Sequence, residues 1–216
     1  MSVPMRQSVP SVSMPVNSAA CYDPLLAYAR DPHDLVTRAF VSAIEMARSS
    51  SRLSGRTAFG LDANEFEALL NRYFPGAASV YLTPALRASL ASGATHRVGT
   101  DEFDDLVALL LEHRSDDSRE NRWLAYAIAA CCMGEDHLWQ DMGLPNRQAL
   151  SDLLARYFST LFARNTGGMR WKKFFYKQLC EKEGAFVCRS PSCAECVEYS
   201  NCFGPEEEST WQPAKR

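Results

Sequence analysis

Apolar residues recur at intervals of three and four along most of this 216-residue chain, which is the spacing that places them on one face of an α-helix. Four such stripes lie at residues 35–44, 66–74, 103–111 and 150–162. The last stripe is long enough to predict one continuous helix, ended by the Asn-Thr-Gly-Gly sequence that follows it. No segment alternates apolar and polar residues convincingly as a strand would. The pattern therefore predicts an all-α fold, a helical bundle.

Residues at the expected helix ends support this interpretation. Asp62 is followed three positions later by Glu65, a capping-box sequence, and Pro75-Gly76 ends the same helix. Thr83-Pro84 predicts the start of a short helix, because proline fits the first helical position. The segment WLAYAIAACCM, residues 123–133, is apolar on every side and predicts the central helix of the bundle. At eleven residues it is too short to span a bilayer.

Composition changes along the chain and predicts four regions. Residues 1–20 are rich in Ser, Pro, Val and Met without periodicity and predict a disordered arm. Residues 21–184 form the helical domain, 185–204 an irregular cysteine-rich metal-binding loop, and 205–216 an acidic flexible tail. A net charge of −3 gives no basic footprint for nucleic acid, and the N-terminus has no secretory signal. We therefore expect a cytoplasmic protein that binds neither nucleic acid nor membrane.

Four cysteines fall within fifteen residues, with the spacing C-x4-C-x2-C-x5-C: Cys188, Cys193, Cys196 and Cys202. Cytosolic thiols stay reduced, so clustered ones are more often metal ligands than disulfides. C-x4-C-x2-C is the opening spacing of plant-type ferredoxin ligands, whereas structural zinc usually takes two tight pairs that are a dozen or more residues apart. The spacing favours an iron–sulfur cluster over zinc.

The helix that precedes this loop has a basic side that could offset the charge of four thiolates. Its cations are Arg170, Lys172, Lys173 and Lys177. Projected at helical spacing, Trp171, Phe174 and Phe175 lie on the opposite, packed face. Cys180 falls between Lys173 and Lys177, and we hypothesise that it is a fifth available thiol with a lowered pKa. The alternative is an ordinary solvated helix face.

A polar turn after the central helix offers one further candidate ligand. His137 stands there among Glu135, Asp136 and Asp141, and it is either a metal ligand or a half-buried structural histidine. Acidic residues at a helix start usually serve capping and the helix dipole. Other candidates are assigned structural roles: Cys131 and Cys132 as core, His113 as a cation at a helix C-terminus, and His33 and His96 as surface residues.

Three stretches together resemble the NifQ family: GEDHLWQDMGLPNR at 134–147, MRWKKFFYKQLCEKEG at 169–184, and the complete cysteine motif. The resemblance runs from about residue 35 to 204 and is densest from 123 onward. It implies a molybdenum-containing iron–sulfur cluster on Cys188, Cys193, Cys196 and Cys202, carried as a molybdenum donor for the nitrogenase iron–molybdenum cofactor. It also implies cofactor-assembly partners of the NifEN and NifH type.

The expected function is therefore that of a metallochaperone in nitrogen fixation and not an enzyme, since no catalytic triad, phosphate loop or paired-carboxylate motif is evident. Two alternatives remain open. An electron carrier would hold an ordinary iron–sulfur cluster, with iron and sulfide but no molybdenum. A zinc-stabilised interaction module would be colourless.

Overall fold

The computed structural model describes residues 24–53, 56–91, 101–182 and 199–206, and within these ranges it contains helices and turns but no strand. The predicted all-α class is confirmed for this part of the chain. Most of the predicted cysteine loop, the whole predicted N-terminal arm, and all but the first two residues of the predicted acidic tail lie outside the described residues. No helix in the described ranges is long and apolar enough to cross a membrane.

Eleven α-helices follow one another in the described ranges. They are α1 Leu35–Ser49, α2 Ala63–Tyr73, α3 Ala78–Tyr81, α4 Pro84–Ala91, α5 Asp101–Glu112, α6 Arg119–Cys132, α7 Leu138–Asp141, α8 Arg147–Tyr157, α9 Ser159–Arg164, α10 Trp171–Lys182 and α11 Tyr199–Phe203. Short 3-10 turns at Pro24–Tyr28 and Ser51–Leu53 flank α1. The predicted helix starting at Pro84 and the stripe at 103–111 are both confirmed as α4 and α5.

Helix α6 is the central element, as its all-apolar sequence predicts. It packs against α1 on one side and α5 on another, while α10 packs on α5. Leu124 and Ile128 of α6 are completely buried. Cys131 and Cys132 are buried beside them, which confirms them as core residues. Burial raises the pKa of the Cys132 thiol to about 12, so it stays protonated and is a poor metal ligand.

The capping box predicted for α2 is half formed. Asp62 caps the helix by accepting hydrogen bonds from the backbone N–H groups of Asn64 at 2.8 Å and Glu65 at 2.9 Å. The Glu65 carboxylate does not return to the cap. It accepts instead from Trp123 Nε1 at 2.7 Å and from Arg119 at 3.0 Å, both on α6. A tertiary link between α2 and α6 thus replaces the local bond.

The prediction of one continuous helix over 150–162 is wrong, because the helix is interrupted at Phe158. Its backbone there leaves the helical region (φ −138°, ψ 50°), which ends α8 and allows α9 to begin. The loop between α5 and α6 supplies the reason. Ser115 donates its backbone N–H to Tyr157 O at 2.8 Å, and Ser115 Oγ accepts from the N–H of Ser159 at 3.1 Å. Bonds from a distant loop therefore replace the next helical turn.

The role predicted for His113 is also wrong. Its side chain is buried, and Nδ1 lies 2.9 Å from Thr160 Oγ1. Burial lowers the pKa of His113, and nearby Arg164 lowers it further, which favours the neutral ring over a helix-terminal cation. His33 is exposed, as predicted, and His96 lies outside the described residues.

Candidate metal centre and the adjoining cleft

Of the four predicted thiolate ligands, the described part of the chain includes only Cys202. Cys188, Cys193 and Cys196 lie outside it, so the ligand set remains a prediction. Within the described ranges, no three or more His, Cys, Asp or Glu side chains are grouped as a metal site requires. What the structure does show is how the end of the cysteine motif is attached to the helical body.

Cys202 belongs to a short segment, residues 199–206, that we call the C-terminal strap. An irregular conformation was predicted for 185–204, but the strap begins with the five-residue helix α11. Tyr199 and Phe203 stack on each other with ring centroids 4.5 Å apart. Cys202 and Phe203 are half-buried against the edge of the apolar core. The last cysteine of the motif is thus seated on the helical body.

Polar contacts hold the strap at the N-terminal end of α10. Arg170 donates its backbone N–H to Cys202 O at 2.7 Å and its guanidinium Nη2 to Pro205 O at 3.1 Å. Glu206 forms an ion pair with Arg147 at 3.3 Å, and Arg147 also donates to Met169 O at 2.9 Å. The start of the tail predicted to be flexible is therefore docked. Sequence analysis missed Arg147 and Glu206, since a pairing between distant charges leaves no periodic signal.

The apolar face predicted for α10 is confirmed. Trp171, Phe174 and Phe175 are buried, and Trp171 donates its Nε1–H to Ser151 Oγ at 3.2 Å.

Cys180 is half-buried near the C-terminal end of α10. Ten residues of α-helix, at about 1.5 Å each, separate it from residue 170 by about 15 Å along the axis. The structure therefore does not bring Cys180 to the end of α10 where Cys202 is anchored.

Lys172 was predicted to help offset the charge of the cluster, but its ammonium group already has partners in the helical body. Its Nζ forms an ion pair with Asp141 and donates to Gly134 O at 2.8 Å. We call this contact the Lys172–Asp141 clasp, because it ties α10 to the turn between α6 and α7. Burial raises the pKa of Asp141, and Lys172 partly offsets this. A Cβ at Gly134 would lie 2.5 Å from the carboxylate, so only glycine fits there without a shift.

His137 occupies the N-cap position of α7, where its backbone N–H donates to Gln140 Oε1 at 3.1 Å. It is half-buried and lines a cleft of about 160 Å³ between α7 and the start of α10. The other lining residues are Asp136, Leu138, Trp139, Leu150, Arg170, Trp171, Lys172, Lys173 and Glu206. The structure thus brings His137 together with the basic end of α10 and with the strap that carries Cys202.

The NifQ family model matches residues 39–204, a span that contains all four motif cysteines. The curated Protein NifQ of Azotobacter vinelandii is 44% identical over 153 residues, covering 68% of this chain and 77% of the relative. Protein NifQ of Rhodobacter capsulatus is 34% identical over 168 residues, covering 77% and 88% respectively.

The NifQ homolog of Sinorhizobium fredii NGR234 is 40% identical over 156 residues, or 72% of this chain and 65% of the relative. No solved structure matches the chain significantly. The family match covers more than half of the chain and includes α10, the cysteine motif and nearly the whole lining of the cleft. The chain therefore belongs to the NifQ family of nitrogen-fixation proteins.

Proposed function

We propose that this protein carries a molybdenum-containing iron–sulfur cluster and donates molybdenum to assembly of the nitrogenase iron–molybdenum cofactor. The observation that carries the proposal is the NifQ family match, which extends through Cys188, Cys193, Cys196 and Cys202. These four thiolates would hold the cluster as cargo. Sulfur ligands suit the purpose because soft donors retain iron and reduced molybdenum, whereas free molybdate is a hard oxyanion.

A donor must also release its cargo, and the attachment of Cys202 suits this requirement. The contacts of the strap include hydrogen bonds to two of its carbonyl oxygens, the Arg147–Glu206 ion pair, and the packing of the half-buried Cys202 and Phe203 against the core. Each such hydrogen bond contributes about 1 kcal/mol, and half-buried side chains contribute less than the fully buried face of a helix. The strap can therefore position Cys202 in the loaded state and open without unfolding the helical body.

The proposed acceptors are cofactor-assembly proteins of the NifEN and NifH type in the cytoplasm. The proposed role is transfer of bound metal and not catalytic turnover. An acceptor that supplies its own thiolates can take the cluster by ligand exchange, one sulfur at a time. A strap that opens would expose one ligand of the donor first, at Cys202.

Metal analysis of protein purified without oxygen tests the binding step. We expect visible absorbance of an iron–sulfur chromophore, together with iron, sulfide and molybdenum. The double variant Cys193→Ser, Cys196→Ser should lose most of all three, because two of the four ligands are removed. Cys180→Ser is the matched control and should retain them.

The alternatives predict other results. Iron and sulfide without molybdenum under molybdate-replete conditions would favour an electron carrier, and colourless protein with bound zinc would favour an interaction module. His137→Ala tests the remaining candidate ligand. An unchanged molybdenum-to-iron ratio would remove His137 from the molybdenum coordination sphere.

A further inference from the structure

We propose that Arg147 is a positioning residue for the predicted cluster ligand Cys202, because it locks the C-terminal strap onto the turn between α9 and α10. The inference rests on the proposed function and deepens it, since it names the residue that sets how firmly one of the four thiolates is held. Arg147 acts through the backbone of the strap. Its part is therefore to position a ligand and not to coordinate the cluster.

The turn on which the strap rests, residues 165–170, is held in one shape by its own hydrogen bonds, and we call it the seat. The Asn165 side chain donates from Nδ2 to Met169 O at 2.8 Å and accepts the Met169 N–H at 2.9 Å. Gly168 lies at φ +65°, a backbone conformation that glycine adopts without strain. The two bonds between the same pair of residues give the strap a fixed surface on which to dock.

Arg147 joins the seat to the strap through a single guanidinium group. It is the first residue of α8, and its Nη2 donates to Gly168 O and, at 2.9 Å, to Met169 O. Its Nη1 lies 3.3 Å from Glu206 Oε1, and the Glu206 side chain is only 6% exposed. The planar fork of arginine can hold several acceptors at once, and a charge-assisted hydrogen bond is stronger than a neutral one. Loss of Arg147 would therefore weaken the seat and the strap together.

Arg170 carries this placement to Cys202. Its backbone N–H donates to Cys202 O at 2.7 Å, and its guanidinium donates to Pro205 O at 3.1 Å. Between these two points Gly204 donates to Ser200 O at 2.8 Å, and a Cβ at Gly204 would collide with that oxygen. The backbone of the strap is thus bonded at Cys202 itself and on its C-terminal side. The position from which the Cys202 thiol can reach a cluster is set by the seat.

Apolar packing alone would not fix that position. The Phe203 ring lies against Gly167 of the seat, where an added Cβ would be 3.3 Å from Cε1. Cys202 and Phe203 are half-buried against the core. Apolar burial stabilises the closed strap but has no preferred direction, whereas hydrogen bonds depend on distance and angle. The polar contacts of Arg147 and Arg170 therefore select one placement of Cys202.

Placement of Cys202 and binding of the cluster should influence each other. A cluster held by all four thiolates favours the strap position in which Cys202 reaches it. By thermodynamic linkage, that position raises the affinity for the cluster by the same factor. Weakening the contacts of Arg147 should therefore speed release of the cluster, and loading of the cluster should slow local opening of the strap. A residue that only stabilised the fold would not show this reciprocity.

Alkylation of the cluster-free protein tests the placement itself. Labelling of Cys202 by iodoacetamide, followed by mass spectrometry of peptides, measures how often the strap opens. Arg147→Met should raise the labelling rate about tenfold, as loss of a charge-assisted hydrogen bond implies. Arg156→Met is the matched control, because Arg156 is an exposed arginine of the same helix that stacks on Tyr157 and should leave the rate unchanged. Equal rates for the two variants would overturn the proposal.

Glu206→Gln breaks the same ion pair from the side of the strap and tests whether the two residues act together. It should also speed labelling of Cys202. The double variant with Arg147→Met should be no faster than Arg147→Met alone, since its second change removes no further contact between them. Effects that multiply in the double variant would contradict a shared lock. Thermal melts establish that each variant is folded, and Glu206→Gln decides the question if Arg147→Met does not fold.

Release from the anaerobically loaded protein tests the coupling to the cluster. Excess EDTA is added, and loss of the iron–sulfur absorbance is followed. Arg147→Met should release iron about tenfold faster than wild type, and Arg156→Met at the wild-type rate. In the wild type, loading should slow hydrogen exchange of the Arg170 amide, whose acceptor is Cys202 O. Release that is independent of Arg147, or an Arg170 amide indifferent to loading, would overturn the proposal.

The outcome is separable from that of the proposed function. A cluster with iron and sulfide but without molybdenum would refute the molybdenum carrier, yet its release could still depend on Arg147 and so support the positioning role. A molybdenum-containing cluster whose release ignores Arg147 would do the reverse.

Discussion

The body around α6 and the C-terminal strap are stabilised by different kinds of contact. Leu124 and Ile128 of α6 are completely enclosed by apolar neighbours, whereas Tyr199 of the strap is 48% exposed. The strap is attached by polar contacts of Arg170 and Arg147 and by the half-buried side chains of Cys202 and Phe203. Burial of apolar surface is cooperative across the whole body, while a few polar bonds can break locally. The body is thus suited to be a scaffold, and the strap to be the part that moves.

The largest difference between the two regions should appear when one aromatic ring is removed from each. Phe175→Ala empties a fully buried site on α10 and should lower the free energy of unfolding by about 3–5 kcal/mol. Tyr199→Ala removes a half-exposed ring of the strap and should change it by less than about 1 kcal/mol. Urea denaturation of both variants measures this. Equal losses would mean that the strap is part of the cooperative core.

A smaller effect is expected at the Lys172–Asp141 clasp, where the body and the cleft meet. Lys172→Met leaves the Asp141 carboxylate, which is 7% exposed, without its cation and should destabilise the fold by about 2–3 kcal/mol. Lys173→Met, at the adjacent exposed position, should leave stability within about 0.5 kcal/mol of wild type. Thermal or urea denaturation compares the two. Similar values would show that the clasp contributes nothing beyond surface charge.

The attachment of the strap can be weakened without touching the core. Glu206→Gln removes the ion pair but leaves behind the more exposed partner, Arg147, and keeps a side chain that can still accept a hydrogen bond, so it should alter global stability by less than about 2 kcal/mol. Local opening should nevertheless increase, and hydrogen exchange of the Arg170 amide should accelerate, because its acceptor is Cys202 O. Glu45→Gln, which breaks an exposed pair with Arg48 on α1, is the control. Unchanged exchange at Arg170 would contradict a strap that opens locally.

The smallest predicted effect is a dependence of the body's stability on pH. Burial lowers the pKa of His113, so the unfolded chain binds a proton first as the pH falls. The free energy of unfolding should therefore decrease below about pH 6.5, the usual histidine pKa, until the lowered folded value is reached. His113→Gln should flatten this slope, and His33→Gln, at an exposed position, should not. Denaturation at several pH values between 5 and 8 checks this.

Local pattern was sufficient to predict the elements of the body. The periodicity of α1 and α5, the cap at Asp62 and the all-apolar segment of α6 each depend on residues close in sequence. The break at Phe158 was missed because Ser115, more than forty positions away, donates to the preceding carbonyl. Likewise, the polar sequence around His113 gave no indication that α9 buries the ring against Thr160.

The candidate site was predictable only in part, for a related physical reason. Spacing identifies the four cysteines, since ligands on one short loop need no distant partner. The cleft depends on contacts between separate elements: α7 supplies Trp139, α10 supplies Lys173, and the strap supplies Glu206. The sequence around Trp139 gives no sign that its side chain will form part of the cleft wall with its N–H unpaired among the residues that the structure describes. Lys172 was likewise expected to face the cluster, whereas its charge is matched by Asp141.

Transfer of labelled molybdenum tests the central claim most directly. The protein is loaded anaerobically with iron, sulfide and radioactive molybdate, freed of unbound metal, and mixed with a molybdenum-free cofactor-assembly protein of the NifEN and NifH type. Our account predicts that the label moves to the acceptor, and that the Cys193→Ser, Cys196→Ser protein transfers none. Label that stays with the loaded protein in the presence of acceptor, or transfers equally from the double variant, would contradict it.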